Sequence, residues 1–178
     1  KWRLITGDVA EPIGYLSTSG LELDDGATSG ALFDDFKDMI FERSGQAIEA
    51  IRIVSVRSEL VNRRIALSLS SAFNVEPRFA RTLPETAGVV NSYRDPDEMG
   101  VDRWSAIVAA AKGKALARPC CVVDAGSAVT IECIDTAAKH LRGFILPGYR
   151  MQVRSLLSAT DKVAAADALL DLDIDISK

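Results

Sequence analysis

Three β-rich runs separated by short turns occupy residues 120–148, and this stretch restricts the possible folds more than any other. The run Cys120-Cys121-Val122-Val123 leads into the turn Asp124-Ala125-Gly126-Ser127-Ala128, and Val129-Thr130-Ile131-Glu132-Cys133-Ile134 leads out of it, so the two runs read as strands of one hairpin. A third strand over 141–146 ends in Pro147-Gly148. Upstream, Ile51-Arg52-Ile53-Val54-Ser55-Val56 is β-branched and bounded by polar residues, and Ser58 is placed to cap a helix carrying Val61, Ile65, Leu69 and Phe73. Antiparallel hairpins beside strand-to-helix crossovers imply a mixed α/β fold.

The other elements follow from spacing. Leu32, Phe33, Phe36 and Ile40 recur at helical intervals, with Gly45 as the C-terminal cap, while 14–30 is turn-rich and polar. The first residues, 1–6, read as a strand already in progress. Pro77, Pro84, Gly88 and Pro96 interrupt 75–97, which places a junction there between lobes of 1–88 and 89–178. Beyond it, Trp104, Ile107, Val108 and Ala111 mark a helix, and 149–157 and 163–170 mark two more. The acidic alternation Asp171-Leu172-Asp173-Ile174-Asp175-Ile176 follows. There is no internal repeat.

Composition removes several function classes. At 178 residues and 48% hydrophobic content the chain can bury a core. A net charge of −4 gives no general attraction for nucleic acid or an anionic membrane. No apolar run approaches the roughly 20 residues of a membrane helix, and no secretory pattern is present, so a cytoplasmic protein is expected. Cys120, Cys121 and Cys133 match neither a metal knuckle nor a disulfide framework and read as reduced core residues. With His140 the only histidine, most histidine triads and zinc sites are excluded, and any catalysis falls to carboxylates.

Two acids stand out. Asp102 follows Met99-Gly100-Val101 in the first turn of a helix, where the helix dipole favours negative charge; its plain alternative is an ordinary N-terminal helix acid. Beside it, Arg103 can bind a substrate carboxylate or phosphate, and Tyr93 can supply a phenolic hydrogen bond; the plain alternatives are a surface ion pair and a half-buried loop aromatic. Asp124 emerges where an apolar strand ends. Gly126 permits close backbone approach, and Ser127 and Thr130 add hydroxyls that suit a phosphate or a cation; a self-bonded Asp-x-Gly turn competes with that reading. Gly143-Phe144-Ile145-Leu146-Pro147-Gly148 shapes a strand-to-helix corner that could face an anion or be a tight turn alone. Asp24-Asp25-Gly26 and the acids at 171–175 read as solvated, and His140 as a surface or turn residue.

Taken in order, Tyr93, Pro96-x-x-Met99-Gly100-Val101-Asp102-Arg103-Trp104, Asp124-x-Gly126-Ser127-Ala128-Val129-Thr130 and Gly143 to Gly148 resemble the motifs of type III pantothenate kinases. That family belongs to the acetate and sugar kinase, Hsp70 and actin superfamily, so the resemblance implies two ribonuclease-H-like lobes enclosing ATP and substrate. It also implies ATP-dependent phosphorylation of pantothenate, the first step of coenzyme A synthesis. Asp102 would be the general base, and Tyr93, Gly100, Val101, Asp102 and Arg103 would line the pantothenate site. Ser127, where threonine is usual, would touch ATP phosphates, with Lys1 at the tail of the first phosphate motif. Asp124 would bind a monovalent cation, K⁺ or NH₄⁺, and Mg²⁺ would accompany ATP. A homodimer is implied, with neither nucleic acid nor membrane as partner.

This sequence departs from the family at Arg142, where the first of two glycines is common, and at Glu132, where aspartate is usual. The resemblance puts an Asp-x-Gly-Asn loop before Lys1, and a threonine and a glycine motif after Lys178, so a chain incomplete at both ends is expected. The alternative function is a pantothenate-kinase-like accessory factor in transcriptional regulation that has lost catalysis.

Overall fold

The computed structural model describes residues 5–6, 9–10, 27–111 and 116–159, and the chain divides into two compact units, Lys1–Arg81 and Thr82–Lys178. The helix expected over 163–170, Lys1, the Asp24-Asp25-Gly26 cluster and the acidic 171–176 segment lie outside the described residues. The architecture is mixed α/β. Among the described residues no helix is long and apolar enough to cross a membrane.

In the first unit, β1 (Ile5–Thr6) and β2 (Val9–Ala10) pair antiparallel, and α1 spans Ala27–Ser44. The polar segment read as turn up to residue 30 is therefore helical from Ala27. Alanines at 27 and 31 supply helix propensity, and a long helix tolerates Gly30. Gly45 ends α1 in the left-handed region at φ 60°, donating to the Phe41 carbonyl at 2.8 Å.

A β-α-β unit follows, made of β3 (Arg52–Ile53), α2 (Glu59–Phe73) and β4 (Arg78–Phe79), with β3 and β4 parallel. The strand expected over 51–56 narrows because its partner pairs with only two residues. Ser55 beyond it turns its hydroxyl to the Asn62 side chain at 2.6 Å. Ser58 caps α2 as its position suggests, accepting from the Val61 N–H. Leu69 and Ala72 are buried, with Phe36, Ile51, Ile53, Ile65 and Phe73 around them, and the Phe36 and Phe73 rings meet edge to face at 5.9 Å.

The second unit opens with a hairpin of β5 (Glu85–Thr86) and β6 (Val89–Val90). Its two turn residues, Ala87 and Gly88, both have positive φ, 49° and 78°, the twist a two-residue hairpin loop demands. Thr82 donates its hydroxyl to the Met99 carbonyl at 2.8 Å, and Val89 is fully buried in this unit's core. A 3₁₀ turn, Pro96–Glu98, capped by the Asp95 side chain, leads into α3 (Val101–Ala111). The strands β7 (Cys120–Ala125), β8 (Ala128–Ile134) and β9 (His140–Pro147) form an antiparallel meander with β8 central. Helix α4 (Tyr149–Ala159) follows directly.

The core is built where the inner face of α3 meets one face of this sheet. Trp104, Ile107 and Ala111 join Val89, Met99, Ile134 and Ala138, with Cys120 and Val122 against them. Trp104 donates its ring N–H to Thr86 Oγ1 at 3.1 Å, which satisfies the one polar atom this large side chain buries. The cysteines are free thiols, but they are not all core residues. Alternation along β7 turns Cys120 toward the core and Cys121 to the exposed face, where its sulfur lies 3.2 Å from that of Cys133. The contact with Cys121, and then burial, push the Cys133 thiol up, so it stays protonated.

Ile107 is fully buried, so Ile107→Ala is expected to cost about 2–5 kcal/mol. Leu60→Ala, at an exposed position of α2, should change stability by no more than about 0.5 kcal/mol. Urea unfolding of both variants against the wild type checks the contrast.

Candidate functional site

The start of α3 sets the first part of the site. A helix leaves its opening N–H groups without intrahelical partners, and Asp102 meets one of them: its Oδ1 accepts from the Arg103 N–H at 2.8 Å. The carboxylate folds back over the chain to do so. A Cβ on residue 100 would lie 2.8 Å from that oxygen, so a side chain there would shift the carboxylate from this position. Asp102 is exposed, and its second oxygen has no partner among the described residues. A helix-start carboxylate held by one oxygen and open at the other can take a proton from a hydroxyl brought to it.

Arg103 points the other way, inward. Its side chain is only 8% exposed, and Nε donates to Glu132 Oε1 at 2.5 Å. Glu132 Oε2 meets His140 Nε2 at 2.9 Å, and His140 Nδ1 meets Ser92 Oγ at 2.8 Å. Glu132 is 1% exposed and His140 0%. Tyr93 closes the group: its hydroxyl accepts from Arg103 NH2 at 3.4 Å, and its ring stacks on the His140 ring with centroids 6.0 Å apart. The Tyr93 backbone is itself fixed, since its N–H donates to Asn91 Oδ1 at 2.9 Å. Burial on its own pulls the Arg103 guanidinium down, but the bonds to Glu132 and Tyr93 outweigh it, so the group is raised above its ordinary value and remains a cation.

Guanidinium carries five N–H donors in a fixed fork. Here Nε and one NH2 donor are used within the protein, whereas NH1 has no partner among the described residues. A cationic edge this deeply buried with donors unspent is suited to a carboxylate or phosphate oxygen. The plain reading of Arg103 as a surface ion pair therefore fails: the pair exists, but it is buried. The surface or turn placement of His140 fails as well. A β-bulge between Cys133 and Ile134 shifts the register so that Ile134 faces His140. Strict alternation back from Gly143 would turn Leu141 inward, and the bulge turns His140 inward in its place.

Gly143 has a specific reason. It sits opposite Glu132 in the β8–β9 register, and a Cβ there would collide with the Glu132 carboxylate and come within 2.6 Å of Arg103 NH2. The missing side chain is the space the ion pair fills. Arg142 pairs with Cys133 and is exposed on the opposite face of the sheet, away from the cluster.

The second candidate acid lies farther along the same inner face. Asp124 is opposite Thr130 in the β7–β8 register, two positions from Glu132 on β8, and is exposed with no partner among the described residues. The strand extends through Asp124 to Ala125, so the turn is tighter than 124–128, with Gly126 and Ser127 at its tip. Gly126 N–H donates to the Ala128 carbonyl at 2.9 Å. The Pro147-Gly148 corner closes on this tip: Gly148 N–H donates to the Ser127 carbonyl at 3.0 Å, and a Cβ on Gly148 would collide with the Gly126 and Ser127 carbonyls. The two glycine motifs, far apart in sequence, are one backbone structure from which α4 starts. Among the described residues no group of three or more His, Cys, Asp or Glu could hold a metal ion.

From the sequence, Asp102, Arg103, Tyr93, Asp124 and Ser127 were candidates, Glu132 stood out only as a departure from the family, and His140 was given no part. A glutamate inside an otherwise apolar strand, at the same parity as Ile134, was the available signal. An acid pointing into a core needs a cation beside it.

The family profile described as Type III pantothenate kinase matches residues 14–173. A protein of Pseudomonas syringae pv. syringae named Type III pantothenate kinase is 34% identical over 167 residues, covering 94% of this chain and 61% of that protein. One of the same name from Pseudomonas aeruginosa (strain LESB58) is 32% identical over 168 residues, 94% of this chain and 62% of its own length. Another, from Pseudomonas savastanoi pv. phaseolicola, is 40% identical over 117 residues, 65% of this chain and 46% of that protein. The chain thus spans less than two thirds of the length of these curated relatives.

Gly143→Ala is expected to displace the Glu132 carboxylate and destabilise the protein by about 1–3 kcal/mol. Arg142→Ala, one residue away on the opposite face, should stay within about 0.5 kcal/mol of the wild type. Thermal unfolding of the two variants side by side is the check.

Proposed function

Since the chain belongs to the type III pantothenate kinase family, we propose that the complete protein transfers the γ-phosphoryl group of ATP to pantothenate, yielding 4'-phosphopantothenate for coenzyme A synthesis. The observation that carries this reading is the divided start of α3. Among the described residues, two consecutive positions offer an exposed carboxylate with one oxygen open and a buried guanidinium with three of its five N–H donors unspent, two of them on NH1. Pantothenate has matching ends, a primary hydroxyl and a carboxylate.

In this reading Asp102 is the general base. Its open oxygen accepts the hydroxyl proton as the substrate oxygen attacks phosphorus, and the bond from phosphorus to the ADP oxygen breaks. Its other oxygen stays on the Arg103 N–H, which fixes the direction of the open one. Arg103 takes the substrate carboxylate on NH1, a bond between full charges in a water-poor setting. Tyr93, Gly100 and Val101 complete the wall. Ser127 offers its hydroxyl to the ATP phosphates, which arrive with Mg²⁺, and Lys1 contributes to the first phosphate loop.

Asp124 suits a monovalent cation, K⁺ or NH₄⁺. It supplies one exposed carboxylate on the strand position opposite Thr130 and beside a turn rich in carbonyls, and among the described residues no cluster of ligands of the kind a transition metal requires is present. Such an ion, held by Asp124, would supply positive charge to the site. The two units of the chain are taken as parts of two ribonuclease-H-like lobes. The enzyme is read as a cytoplasmic homodimer.

A coupled assay of the complete protein with ATP, Mg²⁺, K⁺ and pantothenate should show turnover. Asp102→Asn should lower kcat by about 10²- to 10⁴-fold, the usual weight of a general base, with the melting temperature unchanged. No turnover by the wild type, or full activity in the variant, would overturn the assignment.

A further inference from the structure

Resting on that reading, a second group of residues has a role that neither the motifs nor the family resemblance gives it. Arg103 is a long, flexible side chain, and its fork can select a carboxylate only if its plane is fixed before substrate arrives. The structure fixes it from two directions. Glu132 holds the Nε edge, and His140 holds Glu132 through its other oxygen. Ser92 then holds His140 at Nδ1, while the Tyr93 ring stacks on the imidazole and its hydroxyl takes an NH2 donor of Arg103. These contacts close a ring that runs Arg103, Glu132, His140, Tyr93 and back to Arg103.

The donor and acceptor roles are set by the partners. A carboxylate only accepts, so opposite one His140 donates from Nε2, and in a neutral imidazole Nδ1 accepts from the Ser92 hydroxyl. Both oxygens of Glu132 and both ring nitrogens of His140 are spent inside the protein, and neither residue is more than 1% exposed. Neither can therefore touch a ligand. A buried ion pair is also a poor source of stability, because desolvation offsets most of its attraction. Its use lies elsewhere: among the described residues NH1 of Arg103 is the nitrogen of the fork with both donors left to offer.

We propose that Glu132 and His140 are positioning residues that lock the Arg103 fork, so that its NH1 edge faces the carboxylate of the acceptor substrate. They set the affinity for that substrate without contacting it. Gly143, by leaving room for the Glu132 carboxylate, and the β-bulge that turns His140 inward are the backbone features that make the lock possible.

The test uses the complete protein and three variants. Glu132→Gln keeps the shape and an acceptor for Nε while removing the charge. His140→Phe keeps an aromatic ring against Tyr93 but no polar atom. Glu132→Asp keeps the charge on a shorter arm. Steady-state kinetics should show KM for pantothenate raised about tenfold or more in the first two, the scale of one charge-assisted hydrogen bond lost, with KM for ATP unchanged. Calorimetric titration of pantothenate should show the same loss. Glu132→Asp should retain more of the affinity than Glu132→Gln. An unmoved KM for pantothenate in both Glu132→Gln and His140→Phe overturns the positioning role, as does an equal rise in KM for both substrates. If one variant fails to fold, the other decides. A wild-type protein that turns over pantothenate while these variants keep its KM defeats this inference alone, whereas a wild type with no turnover defeats the functional reading beneath it.

Discussion

The ion pair between Arg103 and Glu132, almost wholly removed from water, is the constraint on which the rest of the second unit depends. Two charges in a low-dielectric interior are tolerable only when each is met by partners of good geometry. That requirement reaches into the backbone on every side. Position 143 can carry no side chain, since the Glu132 carboxylate fills its place. Strand β9 must bulge so that His140 can take the second carboxylate oxygen. Asn91 must hold Tyr93 where its hydroxyl can receive the guanidinium. The apolar core of Trp104, Met99, Ile107 and Ile134 lies next to this cluster and keeps it dry.

The two departures from the family pattern have different meanings in this setting. Arg142 replaces a common glycine, but the register sends it to the exposed face, so it leaves the cluster untouched. Glu132 replaces a usual aspartate at the centre of the cluster. The longer arm spans the distance to both Arg103 and His140, into space that only a glycine opposite could leave. A side chain is accommodated at position 142, whereas one at position 143 would meet the Glu132 carboxylate.

Much of this was legible in the sequence where the signal is local. Ser58 before an apolar-periodic run, Gly45 after one, and the Asp-x-Gly-Ser turn between β-branched strands each act through neighbours within a few residues, and each gives the element its chemistry suggests. Asp102 beside a glycine at a helix start is local in the same sense. The cluster was not legible, because Ser92, Arg103, Glu132 and His140 meet only through sheet register and a bulge, and alternation alone sends His140 outward. Charged residues are usually solvated, so a surface ion pair was the natural reading of Arg103. The turn at 124–128 was read two residues too wide at its start and one at its end, because Asp124, Ala125 and Ala128 sit beside turn residues yet remain in the ladder.

The reading of a carboxylate by the buried guanidinium is open to a measurement that does not rely on catalysis. Calorimetric titration of the complete protein with pantothenate, and with the analogue whose carboxylate is replaced by a primary alcohol, isolates that end of the ligand while leaving the phosphate-accepting hydroxyl alone. Pantothenate is expected to bind, and the alcohol to bind at least about tenfold more weakly, because the NH1 edge of Arg103 then loses its charged partner. Equal affinities for the two, or no binding of pantothenate, would contradict it.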